Sequence, residues 1–280
     1  MTSRGDSVVL VNEDEIDPVL GTSILLDMSW SRLDCYDWCP KKYKFKYCDG
    51  LADGWTLPLA IGKTVHETLE AAIKYRVKDE VEIVGFFLDA VDRNDRDGKM
   101  SSAEVEDAKD LALSTFREIS ATTEIPNIVD VEFGFAYKLG RGLFLGFIDL
   151  VFWGVDEEGP YLQIRDYKTG KKKKKTKDSG QMKLYTLAVK RLYPDHRVKA
   201  GLYWVRDDTE DVYEFSDAEL DDFKQKVAGK IEQIIEDDNY HPTKEMFKCV
   251  YCVFAREDVC KYGYVASQKI TRYRKKKKTT

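Results

Sequence analysis

The run LFLGFIDLVFWG, residues 143–154, most constrains what this chain can fold into. It is apolar almost throughout, and Asp149 is its only charged side chain. Such a run reads as a strand buried on both faces, at the centre of a sheet with a layer on each side. The preceding IVDVEFGFAYKL (128–139) partly alternates and is rich in β-branched and aromatic residues, and the intervening GRG suits a hairpin. PYLQIRDYK (160–168) and RVKAGLYWV (197–205) read as further strands. Between them GQMKLYTLAVKRLY (180–193) returns to helical spacing through Met182, Tyr185 and Val189.

Helices are expected over 30–47, interrupted at Pro40, and over 62–77, where Val65, Leu69, Ala72, Ile73 and Val77 form one stripe. Further helices are expected over 81–92, 102–119 and 217–236. The order is α, β, β, β, α, β: an α/β chain with a mixed sheet flanked by helices. The acidic stretch 92–107 has the look of a calcium loop, but Arg93 stands at the first ligand position, so it reads as a polar helix–helix connection.

With 280 residues, 43% hydrophobic and 34% charged, the chain fits a soluble globular protein. No stretch approaches the roughly 20 apolar residues of a membrane span. MTSRGDSVVLVNEDEID has a short apolar patch followed by acids and does not read as a signal peptide, so the expected setting is cytoplasmic with no membrane partner.

Asp149 needs a cation, a donor or a cavity, because an unpartnered buried carboxylate costs several kcal/mol. Asp166 and Lys168 end the next strand and share a face by alternation. If the two strands are neighbours, the three side chains converge. Two readings fit: a buried ion pair between strands, or two carboxylates holding Mg²⁺ or Mn²⁺ beside a lysine that orients water or meets developing phosphate charge.

The surrounding motifs resemble the PD-(D/E)XK nuclease superfamily over most of the chain, and its RecB-like branch in particular. GFIDLVF is similar to that branch's first-aspartate strand, IRDYKTG to its D-x-K strand, and QMKLY to its Q-x3-Y helix. IGKTVHETLE resembles its G-x3-H-x3-E helix and SWSRLDCYDWCPKKYKFKY its N-terminal signature. The resemblance implies a restriction-endonuclease-like core in which His66, Asp149, Asp166 and the carbonyl of Tyr167 bind metal. It makes Lys168 the catalytic lysine, with Gln181 and Tyr185 positioning DNA or the site's side chains. Glu132, on the preceding strand, is a supporting candidate only.

Six cysteines sit at the two ends of the chain, and CVYCVFAREDVC groups Cys249, Cys252 and Cys260. That grouping reads as an iron–sulfur or zinc site, or as buried free thiols. The resemblance to iron–sulfur RecB-like exonucleases, among them the fourth family of CRISPR-associated proteins, implies a [4Fe–4S] cluster. In that family CPKKY carries the remaining ligand, here Cys39; Cys35, one helical turn away, is the alternative.

Although the formal net charge is −5, residues 165–177 hold eight positive side chains against one negative. Lys171, Lys172, Lys173, Lys174, Lys175 and Lys177 follow the D-x-K strand directly. They form a solvated loop or, given a nuclease, a set of contacts to DNA phosphates. The expected organisation is an N-terminal arm (1–25), one nuclease domain (26–265) and a disordered basic tail (266–280). Within the domain, 26–125 are helical, 126–240 form the core and 241–265 close the cysteine cluster on Cys39. The expected function is a metal-dependent exonuclease acting on single-stranded DNA or duplex ends in recombination, replication or repair, in a phage-encoded or CRISPR-linked setting. The alternatives are an endonuclease on flapped or branched DNA, an inactive DNA-binding accessory subunit, or a zinc-clasped scaffold.

Overall fold

The computed structural model describes residues 9–10, 26–95, 97–122, 127–172 and 179–278, the last nine as backbone only. In chain order the elements are β1 (Val9–Leu10), β2 (Leu26–Met28), α1 (Trp30–Trp38), α2 (Pro40–Tyr43), α3 (Leu57–Lys74), α4 (Glu80–Asn94), α5 (Ser102–Thr122), β3 (Ile128–Leu139), β4 (Gly142–Asp156) and β5 (Gly159–Lys168). Then come α6 (Gly180–Leu192), β6 (Arg197–Trp204), β7 (Thr209–Glu214), α7 (Asp217–Glu236), α8 (Val253–Arg256) and α9 (Lys261–Lys278).

The contacts divide the chain into two units. The first holds Trp55–Leu139 and Phe144–Lys226, together with β1. Its sheet runs β1-β3-β4-β5-β6-β7. β4 and β5 pair antiparallel, with Leu150 opposite Arg165. β5 and β6 pair parallel, with Asp166 opposite Leu202, and α6 makes the crossover between them. The apolar run 143–154 does lie inside the sheet, between β3 and β5.

Helices α3, α4 and α5 pack on one another, and Val65, Leu69, Phe87, Ala112 and Phe116 join Leu150, Phe152 and Tyr167 of the sheet in one core. Their ends follow local chemistry. Pro58 opens α3. Asp79 caps α4 by accepting the Val81 N–H at 2.9 Å. Ser101 and Glu104 form a capping box on α5, as do Ser216 and Glu219 on α7. The acidic connection before α5 is internally bonded, Asp95 accepting the N–H groups of Lys99 and Met100.

The second unit holds Ile24–Gly54, Gly140–Leu143 and Val227–Thr280. Here Pro40 ends α1 and starts α2, and one turn of π-helix follows over Lys44–Cys48. Tyr36, Tyr43 and Tyr240 pack ring to ring, and the Tyr36 hydroxyl donates to Asp237 at 2.7 Å. Sequence patterning passed over β7, which alternates polar and half-buried residues with a thin apolar signal. It also treated the C-terminal basic block as lying outside regular structure, whereas the backbone of α9 continues through it to Lys278.

Candidate active site

The first unit brings together side chains from four elements. His66 stands on α3, Asp149 on β4, Asp166, Tyr167 and Lys168 on β5, and Gln181 and Tyr185 on α6. Two glycines make the approach possible. A Cβ on Gly62, one turn before His66, would lie 3.4 Å from Thr169 Oγ1, so α3 runs close to the end of β5. A Cβ on Gly146 would lie 2.7 Å from the Phe135 ring, which itself packs edge-on against Tyr185. The glycine of GFIDL therefore leaves room for the ring that supports α6.

Tyr167 ties the site through its backbone. Its N–H donates to Asp149 Oδ2 at 2.7 Å, and its carbonyl oxygen lies 2.9 Å from His66 Nε2. His66 Nδ1 in turn lies 3.3 Å from Asp149 Oδ1. Both ring nitrogens thus face oxygen acceptors. Burial opposes protonation of His66, but the adjacent Asp149 carboxylate outweighs it and pushes the imidazole up to about 9. Burial also works against charge on Asp149, yet His66, the Tyr167 N–H and Lys168 hold its carboxyl below the usual range.

Asp166 has the opposite balance. Its side chain keeps only 5% of its exposure, and burial together with the Asp149 charge raises it against the pull of Lys168. Lys168 Nζ pairs with Asp166 Oδ2 at 2.5 Å. Gln181 closes the network. Its Oε1 accepts from Lys168 Nζ at 3.0 Å, and its Nε2 donates to Asp166 Oδ1 at 3.0 Å and to the Tyr185 hydroxyl at 2.8 Å.

The donor types fit a divalent cation: carboxylates, a backbone carbonyl and an imidazole, mostly hard oxygens in a poorly solvated setting. Ligand atoms of His66, Asp149 and Glu132 of β3 all lie within 4.8 Å of one another; Asp166 is not in that group and instead meets Lys168 and Gln181.

On the reverse face of β5 lies a residue that sequence reasoning missed. Arg165, 5% exposed in its side chain, is held between the rings of Phe152 and Tyr203. Its guanidinium donates twice to Glu210, at 2.9 and 2.8 Å, and to Glu118 at 3.1 Å. Burial is outweighed by Glu210, so the guanidinium stays charged. The signal was present: alternation sends Arg165 to the face opposite Asp166, into an apolar layer where a charge needs a partner.

In the second unit, Cys39, Cys249, Cys252 and Cys260 line one cavity with Trp38, Phe45 and Phe254; Cys35 and Cys48 are not among its lining. The Thr243 N–H donates to Cys39 Sγ and the Gly263 N–H to Cys260 Sγ, each at 3.4 Å. Burial pushes the Cys249 thiol up to about 11 and also raises Cys252. Of the basic loop, Lys171 is exposed, while Lys172 pairs with Asp211 Oδ1 at 2.8 Å and is partly spoken for. Lys173, Lys174, Lys175 and Lys177 lie outside the described residues.

A mixed sheet between helices, with an acid on one central strand and D-x-K ending the next, defines a restriction-endonuclease-like core. The profile of the PD-(D/E)XK nuclease superfamily matches residues 27–261, and the chain belongs to that superfamily. Among solved structures, a protein from Eubacterium rectale named provisionally as an exonuclease superposes with a TM-score of 0.50. It is 11% identical and covers 80% of this chain and 85% of its own, a likeness that shows the fold. The protein SSO0001 is 14% identical over 70% of this chain and 82% of its own, but its TM-score of 0.32 carries no argument. No curated protein matches the sequence. Among the described residues, no helix is long and apolar enough to cross a membrane.

Proposed function

We propose that this chain is a divalent-metal-dependent deoxyribonuclease that degrades single-stranded DNA or duplex ends as an exonuclease. The observation that supports the reading is the grouping of His66, Asp149 and the Tyr167 carbonyl, with the neighbouring Asp166 ion-paired to the Lys168 ammonium. His66, Asp149, Asp166 and the Tyr167 carbonyl would hold Mg²⁺ or Mn²⁺. When bound, such an ion supplies Lewis acidity and a water of lowered pKa. The name of the Eubacterium rectale neighbour agrees with an exonuclease.

The chain's own residues do the rest. Lys168, held between Asp166 and Gln181, would orient the attacking water and meet the negative charge developing on phosphorus. Gln181 keeps Lys168 and Asp166 in register, and Tyr185 keeps Gln181 in place. Lys171 and the lysines after it would bind phosphates on either side of the scissile bond without reading sequence.

In the second unit, the four cavity-lining cysteines would hold a [4Fe–4S] cluster. Four thiolates also suit a zinc ion, and iron and acid-labile sulfide analysis separates the two. The two N–H···S bonds are of the kind that steady cluster sulfurs.

The deciding experiment is digestion of end-labelled single-stranded DNA with Mn²⁺, Mg²⁺ or chelator, using Lys168→Ala and Asp149→Ala as controls. Metal-dependent release of labelled nucleotides, lost in both variants by about 10²-fold or more, is expected. Wild-type rates in both variants would overturn the site. Cleavage of circular single-stranded DNA would overturn the exonuclease mode.

A further inference from the structure

We propose that Glu132 is itself a ligand of the divalent-ion site and sets its affinity, and that its backbone is kept in a strained conformation to place it there. The inference rests on the metal-dependent reading above and goes beyond the motif residues, which include no acid from β3.

Three observations carry it. First, ligand atoms of His66, Glu132 and Asp149 all fall within 4.8 Å of one another, and all three residues are half-buried. Second, Glu132 has φ +53°, in the left-handed region. The other described non-glycine residues with positive φ are Arg76, Asp208, Tyr240 and Asp258, which stand in turns and loops; Glu132 alone lies within a strand. A side chain there costs on the order of 1 kcal/mol that glycine would avoid. Third, the burial pattern of β3 changes at this point: the five residues through Glu132 are half-buried and the next four are buried. A local break in pleat re-aims the side chain that carries it. Here the re-aimed side chain is an acid, and it faces His66 and Asp149. Its charge also helps raise Tyr185, after burial and the two aspartates.

Strain of this kind persists where something else requires the geometry. Without metal, the Glu132 carboxylate has the His66 imidazole beside it, so its charge is offset while the backbone strain is not. A strained ligand therefore predicts that both variants lose affinity while glycine gains stability over glutamine, which a packing role does not.

The test is Mn²⁺ binding, by electron paramagnetic resonance or calorimetry, and thermal unfolding in chelator, on the full chain and on Glu132→Gln and Glu132→Gly. Both variants should bind Mn²⁺ at least about tenfold more weakly, because ligand charge tunes affinity at such sites. In chelator, Glu132→Gln keeps the strain and gives up the charge beside His66, so its unfolding midpoint should hold or fall slightly. Glu132→Gly should unfold about 2 °C above Glu132→Gln for a chain of this size. Unchanged Mn²⁺ affinity in both variants, with wild-type binding intact, overturns the assignment of Glu132 while leaving the remaining site standing. Weaker binding with Glu132→Gly no more stable than Glu132→Gln in chelator overturns the strain argument. A wild-type chain that takes up no Mn²⁺ overturns the metal site and this inference together.

Discussion

Tyr167 donates its backbone N–H to Asp149 Oδ2 at 2.7 Å, across 18 positions of sequence. Because the Tyr167 carbonyl also meets His66, one peptide segment aligns an acid from β4 and an imidazole from α3. Substitutions at Tyr167 other than proline keep both backbone groups. Around the segment, Gln181 holds Lys168 and Asp166 on one face of β5, and Arg165 is anchored on the other.

Gln181→Ala removes acceptor and donor at once, leaving Lys168 and Asp166 to find new geometry. Activity should fall about 10–100-fold, as for other residues that orient a metal site's ligands. Tyr185→Phe, which deletes one contact to Gln181, should cost less. Steady-state rates at saturating Mn²⁺ measure both, and a larger loss for Tyr185→Phe would contradict this order.

Arg165→Met takes the guanidinium away from Glu118 and Glu210, whose side chains keep 20% and 15% of their exposure, although Gln163 still donates to Glu210. Breaking such a group should destabilise the fold by about 3–5 kcal/mol in urea unfolding. Changing all three residues to apolar ones of similar volume should recover much of that loss, since the ions' desolvation cost disappears with them. A single-variant loss below about 1 kcal/mol would show that the ion group is slack.

Replacing Lys171–Lys175 and Lys177 by serine should flatten the salt dependence of single-stranded DNA binding. Six phosphate contacts correspond to a slope change of about four in log Kd against log salt. Lys172, already paired with Asp211, should contribute less than an average share. Binding titrations from low to moderate salt give the slope; an unchanged slope would return the run to the status of a solvated loop.

Serine at Cys39, Cys249, Cys252 or Cys260 should remove bound iron and visible absorbance from protein prepared without oxygen, whereas serine at Cys35 or Cys48 should not. Iron and acid-labile sulfide analysis decides it. Loss at Cys35 with retention at Cys39 would move the fourth ligand one helical turn.

Much of the fold was legible because burial leaves periodic traces. β3 spans the expected 128–139 and α7 the expected 217–236, and β4, β5 and β6 lie within two residues of expectation. α3 starts five residues earlier than its stripe suggested, since Pro58 can open a helix ahead of the first buried turn. β7 was missed because it carries little apolar surface. The pairings of His66 with Asp149 and of Asp166 with Lys168 agree with the motifs, whereas the partners of Arg165 were not foreseen and Glu132 entered only as a supporting candidate. Arg165 has a partner in Glu210, 45 residues away, and Glu132 owes its direction to one backbone angle.

Local interactions decided what the sequence could determine alone: which segments are strands or helices, where caps and turns fall, and which acids and lysine share a strand end. These depend on neighbours within a few residues and on the alternation of solvent and core. Only the tertiary structure decided that Tyr167 spans two of the candidate ligands, that Cys39 rather than Cys35 lines the thiol cavity, and that Glu132 turns toward His66. Those outcomes depend on ångström-scale packing between distant segments, and hydrophobic period carries no information about it.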